Sequence, residues 1–244
     1  VLNDLKSEGV DISMVQIGKG EKTGMSVVLV ADDGGRSIIT YRGAAKDMNS
    51  GEIDWGKISG ADWIQIAALG GNMALVEDMV SFARKEKIPV GWNPGKGELV
   101  QKDRMLRILP KTEMLILNRM EAAQLVQHPY EEMKEMAVKI SSFGVKKVVI
   151  TDGKRGAGVM TEGVWISTPA FKTKSVDDTG AGDAFIAGMV AGFLVNKDLA
   201  TSLKMGLANG ASEVTSLGAK TGLLRKNEMT KWLRRRLKII EEKV

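Results

Sequence analysis

The sequence contains no cysteine. That excludes disulfides, thiolate nucleophiles and Cys-ligated metals. Histidine is nearly absent, with His128 the single one in 244 residues. A catalytic His pair or a His-cluster metal site is therefore excluded as well. There is no long hydrophobic run. The longest spans Ala184 to Val195, about 18 Å as a helix against about 30 Å of bilayer core, so it reads as a buried core helix. The opening residues Val1 to Lys6 lack the apolar stretch of a signal peptide, and a cytoplasmic location is expected. Aromatic residues make up only 5% and do not interleave with a basic stripe. The net charge of +5 sits in one terminal segment: Arg225 to Val244 holds eight Lys/Arg and three Asp/Glu. The rest of the chain is neutral, so no basic face points to nucleic acid.

What is present fits a globular chain with a sizeable core. Hydrophobic residues are 43% and charged residues 27%, spread over one large domain or two small ones. Val1 to Gly9 reads as the end of a helix. Met25 to Val30 and Ser37 to Tyr41 read as a hairpin around the turn at Ala31 to Gly35. The hairpin suggests a small β flap, and the composition shift behind it divides residues 1–44 from a body at 45–244. Strands are expected at Trp63 to Ala68, Ile88 to Trp92, Met114 to Leu117 and Lys147 to Ile150. A short hairpin follows at Ala157 to Met160 and Val164 to Ile166. Helices are expected at Met73 to Lys87, Gly97 to Leu109, Glu121 to Gln127, Tyr130 to Phe143, Ala181 to Val195, Leu199 to Leu217 and Lys226 to Lys238. The alternation argues for βαβ units around a mostly parallel sheet.

The chemistry concentrates in Val176-Asp-Asp-Thr-Gly-Ala-Gly-Asp183 ahead of the apolar helix. Gly180, Ala181 and Gly182 let a ligand approach backbone at a helix N-terminus, where free N–H groups attract anions. Asp183 stands in the first turn beside them. Two readings fit it: an acidic cap on a buried helix, or a general base taking a proton from a hydroxyl that attacks a phosphoryl group.

The stretch Asp177-Asp-Thr-Gly-Ala-Gly-Asp183 resembles the C-terminal signature of the ribokinase (PfkB) carbohydrate kinases. The resemblance implies a three-layer α/β/α sandwich with a mostly parallel central sheet and a β lid. It makes Asp183 the catalytic base and Gly180, Ala181 and Gly182 the hole for the γ-phosphate charge. Asn118-Arg-Met-Glu121 resembles the family's Asn-x-x-Glu motif, which implies Mg²⁺ held by Asn118 and Glu121, largely through water. Thr151-Asp-Gly153, with Gly156, resembles its nucleotide-binding turn. Asp177 and Thr179 occupy the places of a K⁺ site, with further ligands from the Glu213 to Gly218 region.

Elsewhere the residues decide less. Asn93 is a candidate sugar or phosphate contact in what is equally a plain turn. Leu69 to Asn72 matches the family's Gly-Gly-Asn substrate motif in composition but not in place, and reads as a helix cap. His128 reads as a solvated surface residue. The strand, acidic residue and Gly-Gly-Asn helix that open family members do not precede Val1, so an N-terminally truncated chain is expected. The implied activity is ATP-dependent phosphoryl transfer to a primary hydroxyl of a sugar. A nucleoside acceptor and a non-catalytic nucleotide-binding fragment are the alternatives. The flap carries Val27, Val28, Leu29 and Val30 in succession, so both its faces are apolar, and the family pairs lids between subunits. A homodimer through the lid is expected. No nucleic-acid or membrane partner is expected.

Overall fold

The computed structural model describes residues 1–18, 20–30, 36–127, 132–196 and 198–244, without the side chains at 30, 36–38, 47 and 196. The expected turn at 31–35, His128 and the start of the helix at Tyr130 lie outside the described residues, as does the side chain of Val30.

Successive residues of a strand point to opposite faces, and that alternation sorts the buried side chains into two cores. In chain order the elements are α1 (Leu2–Ser7), β1 (Met25–Val30), β2 (Arg36–Tyr41), α2 (Trp55–Ile58), β3 (Ile64–Ile66), α3 (Met73–Lys85), β4 (Val90–Trp92), α4 (Lys96–Leu99) and α5 (Lys102–Ile108). Then come β5 (Met114–Asn118), α6 (Arg119–Val126), α7 (Met133–Ser141), β6 (Lys147–Thr151), β7 (Ala157–Thr161), β8 (Val164–Thr168), α8 (Ala181–Asn196), α9 (Leu199–Glu213), α10 (Lys226–Leu233) and β9 (Ile240–Lys243). Strands β3 to β9 form one sheet in sequence order. β3 to β6 are parallel, and β7, β8 and β9 each pair antiparallel with the strand before, so five of the seven run one way. In β5, Leu115 and Leu117 face a core shared with α3, α5, α6 and α7. Met114 and Ile116 face a second core made with α8, α9 and α10. The result is three layers, helix on sheet on helix. β1 and β2 pair apart from it as a two-stranded lid.

Helix α8 is apolar on nearly every side because it lies between the sheet and α9. Glycines set the distance between the two helices: a Cβ at Gly188 would stand 2.6 Å from the Met205 carbonyl oxygen, and one at Gly192 would stand 2.8 Å from the Ser202 Cα. Among the described residues no helix is long and apolar enough to cross a membrane.

Three stretches differ from expectation. The helix expected from Gly97 to Leu109 breaks at Gln101, whose amide nitrogen donates to the carbonyls of Gly71 (2.8 Å) and Gly97 (3.0 Å). The helix from Leu199 ends at Glu213, because the carbonyl of Val214 accepts from Val176 N (2.7 Å) and Asp177 N (3.3 Å). The last helix ends at Leu233, whose carbonyl accepts from Lys204 Nζ (2.7 Å), and the residues beyond it form β9 against the edge of β8.

Asp198 caps α9, accepting from Ala200 N (3.2 Å) and Thr201 N (3.0 Å). Hydrogen bonding from Thr201, then Ala200, holds its carboxyl below the usual aspartate value. As pH falls the unfolded chain therefore takes up the proton first, so this stabilisation is complete above the ordinary Asp value and is lost as pH falls through the lowered one. Asp198→Ala should cost about 1 kcal/mol in urea unfolding at neutral pH. The gap to wild type should close in strongly acid solution; a gap independent of pH would refute the cap's electrostatic part.

Candidate active site

In an open α/β sheet, ligands bind beyond the carboxyl ends of the parallel strands. Here those ends are Ile66, Trp92, Asn118 and Thr151, the last two directly paired across β5 and β6. The signature loop approaches this edge from the α8 side. Its position is set by Asp177. One carboxylate oxygen accepts from Thr179 N (3.0 Å) and Thr179 Oγ1 (2.7 Å), and the other from Gly218 N (3.1 Å). The next residue is also tied down, with Asp178 accepting from the Ser175 hydroxyl. Gly180 lies at φ +80°, and a Cβ there would stand 2.4 Å from the Ala219 carbonyl oxygen. Only glycine passes this point unstrained.

Helix α8 starts at once. The N–H of Ala181 reaches back to Asp178 O (3.4 Å) and that of Ala184 to Gly180 O (2.8 Å), while among the described residues no acceptor takes those of Gly182 and Asp183. A Cβ on Gly182 would meet nothing within 4 Å. Asp183 is exposed in the first turn. Among the described residues nothing bonds to its carboxylate.

Thr151, Gly153, Gly156, Ala181 and Gly182 line one cleft of about 470 Å³. The two stretches singled out in the sequence, the turn after β6 and the start of α8, are thus brought together. Gly156 lies at φ +110° with the Thr168 carbonyl against it, and Asp152 N donates to Gly156 O (2.8 Å) to close the turn. Asn118 and Glu121 flank the cleft rather than line it. They form a capping box on α6: Glu121 N donates to Asn118 Oδ1, and Asn118 N donates to Glu121 Oε2, both at 2.9 Å. Burial pushes the Glu121 carboxyl above the usual glutamate value, against the bonds from Asn118. Arg119 ties this corner to the neighbouring turn by an ion pair with Asp152 (3.1 Å), which also holds Arg155 (2.8 Å). Among the described residues no three His, Asp or Glu side chains cluster to hold a metal. One half-buried carboxylate and one amide suit a hard cation that keeps most of its water. Asn93 is elsewhere, its amide donating to Ile116 O (2.9 Å) and so tying β4 to β5. Asn72 caps α3, accepting from Leu75 N (3.2 Å).

Sequence reasoning missed several groups. Phe171, Leu207, Ala211 and Val214 give the cleft an apolar wall, and Lys154 and Lys172 stand on its lining. Phe171 is backed by Trp232, edge-on at 5.1 Å, and by the Arg235 guanidinium at 5.0 Å. Asn209 donates to Ala184 O (2.7 Å) and accepts from Leu224 N (2.9 Å). Glu98 is fully buried and accepts from Leu69 N (3.0 Å), Gly71 N (2.7 Å) and Gly95 N (2.7 Å), fixing the loops after β3 and β4. Glu98 and Asn209 were signalled only as polar residues inside apolar patterns.

The sequence profile of the pfkB family carbohydrate kinases matches residues 1–226. The chain belongs to that family. This carbohydrate kinase is 30% identical over 218 residues to the ATP-dependent ribose-1-phosphate kinase of Halopiger xanaduensis, covering 89% of this chain and 70% of that one. To the ribokinase of Haemophilus influenzae it is 26% identical over 242 residues, covering 95% and 76%. The solved structure of Arabidopsis thaliana ribokinase, complexed with ribose and ATP, superposes with a TM-score of 0.80 at 23% identity, covering 93% of this chain and 74% of that one. The kinase therefore has the ribokinase-type α/β/α sandwich.

The two glycines of the signature should respond oppositely to alanine. Gly180→Ala combines a strained φ with a backbone clash and should lose about 1–3 kcal/mol. Gly182→Ala puts a methyl into open space on a helix and should be neutral or stabilising by up to about 1 kcal/mol. Thermal unfolding of both variants checks this, and equal losses would refute the geometry.

Proposed function

We propose that this kinase transfers the γ-phosphoryl group of ATP to a primary hydroxyl of a sugar, with Asp183 as general base. The observation that carries the reading is the Asp183 carboxylate, unpartnered among the described residues, next to two helix N–H groups that none of them claims, beside the cleft. Asp183 takes the hydroxyl proton, the hydroxyl oxygen attacks the γ-phosphorus, and the bond to the β-phosphate oxygen breaks to release ADP. The N–H groups of Gly182 and Asp183, with the positive end of α8, face the charge that grows on the transferring group. Thr151, Gly153 and Gly156 take the rest of the phosphate chain, and Lys154 and Lys172 add positive charge on the same lining.

Asn118 and Glu121 would hold Mg²⁺ through water, and the ion would neutralise phosphate charge. Asp177 and Thr179 would hold a monovalent cation, K⁺, which would add positive charge beside the loop. Ribose, fructose or a keto-deoxy acid is the leading acceptor, with a nucleoside second.

Asp183→Asn should lower kcat by about 10²–10⁴ while leaving the KM for ATP in place. In the same assay Glu121→Gln should raise the Mg²⁺ concentration at half-maximal rate, and replacing K⁺ by Na⁺ should lower kcat. Wild-type turnover by Asp183→Asn would make that residue a cap only. ATP binding by the wild-type chain without turnover of any acceptor would favour a nucleotide-binding fragment.

The lid supports a second proposal, a homodimer. Register places Met25, Val27, Leu29, Ile39 and Tyr41 on one face, and they are 64%, 48%, 53%, 64% and 47% exposed. A continuous apolar face on a two-stranded sheet needs a cover. The opposite face carries Val28 and the hydroxyl pair Ser26 and Thr40. Val27→Lys with Ile39→Lys should convert a dimer to a monomer in sedimentation. A wild-type chain that is monomeric at high concentration would end this proposal.

A further inference from the structure

The lining of the cleft divides into an apolar wall and an anion corner. Phe171, Leu207, Ala211 and Val214 make the wall. The start of α8 at Ala181 and Gly182, with the turn at Thr151, Gly153 and Gly156, makes the corner. The segment 175–178 runs from one to the other. Val176 N and Asp177 N donate to the carbonyl of Val214 on the wall (2.7 and 3.3 Å). Ala181 N donates to the carbonyl of Asp178 (3.4 Å), which puts that residue against the start of α8. Ser175 and Asp178 both stand on the lining.

Asp178 is the one carboxylate among the described residues of that lining, and its charged companions there are Lys154 and Lys172. It is exposed, and its Oδ1 accepts from the Ser175 hydroxyl, which sets the direction of the group. A carboxylate has acceptors only. Beside a triphosphate it is a source of repulsion, so phosphate is not what it is placed to meet. Uncharged O–H donors suit it. A nucleotide laid with its base on the apolar wall and its phosphates at the N–H groups of Gly182 and Asp183 carries its ribose between the two, where the segment 175–178 crosses. The 2′ and 3′ hydroxyls of that ribose are a vicinal pair of donors for one carboxylate.

We infer that Asp178 binds the ribose hydroxyls of the phosphoryl donor, held in direction by Ser175, and that the kinase thereby selects ribonucleotides over deoxyribonucleotides as donors. This rests on the kinase reading and names the sugar specificity of its nucleotide site. A deoxyribose forfeits a charge-assisted hydrogen bond that the ribose makes, and the loss falls on donor affinity.

The test is calorimetric titration of the full chain, with Mg²⁺ and no acceptor, by ATP, 2′-deoxy-ATP and 3′-deoxy-ATP. ATP should bind about tenfold or more tighter than at least one deoxy analogue, the loss expected of one charge-assisted hydrogen bond. Asp178→Ala should weaken ATP by a similar factor and leave that analogue nearly where it was, so that the preference disappears. Equal binding of all three nucleotides by the wild-type chain overturns the inference while the kinase reading stands. So does an Asp178→Ala variant that keeps the wild-type preference, or one that loses affinity for all three alike, as a collapsed loop or a lost metal ligand would. Binding of none of the three refutes the kinase reading itself, and the inference with it.

Discussion

The carboxylate of Asp177 is the interaction on which the site depends. It gathers two N–H groups and one hydroxyl from Thr179 and Gly218. Without that gathering, the loop entering α8 has no reason to pass so close to Ala219, and Gly180 no reason to be glycine. The start of α8 would then be free to shift along the sheet. Its first N–H groups stand at the cleft because a partly buried carboxylate four residues before the helix is bound by three donors. Glu98 does the equivalent for the loops after β3 and β4. The carboxyl edge of the sheet is thus held from both sides by acids whose own charge is directed at backbone amides.

Around these two acids the layers are ordinary packing. The alternation in β5 and β6 divides the core, and the glycines of α8 let α9 come close enough to contribute Leu207, Ala211 and Val214 to the cleft wall. Arg119, Asp152 and Arg155 then join the end of β5 to the turn after β6. The capping box on α6 and the turn after β6 are therefore tied into one corner.

Much of this was legible in the sequence, for local reasons. The limits of β1 and the start of α8 follow from contiguous apolar residues and from a glycine signature in which each residue acts on its neighbours. Asn72 and Asn118 could be read as caps because a cap binds three residues ahead. What escaped depends on partners remote in the chain. Gln101 breaks a helix to reach Gly71, and Glu98 answers to amides nearly thirty positions upstream. The last helix is expected only to Lys238, and Ile240–Lys243 carries no strand signal of its own: all four of its residues are exposed, and it is a strand only through β8.

The stacking of Trp232 and Arg235 on Phe171 bears on the order in which the protein matures during synthesis. Phe171 emerges from the ribosome well before the residues that back it. Strands β3 to β8 and α8 can assemble while the cleft's apolar wall is still open to solvent, and the wall is finished only when α10 docks. A nascent chain therefore passes through a stage with β3 to β8 paired and Phe171 unbacked, an apolar surface that is covered with the arrival of residues 225–243.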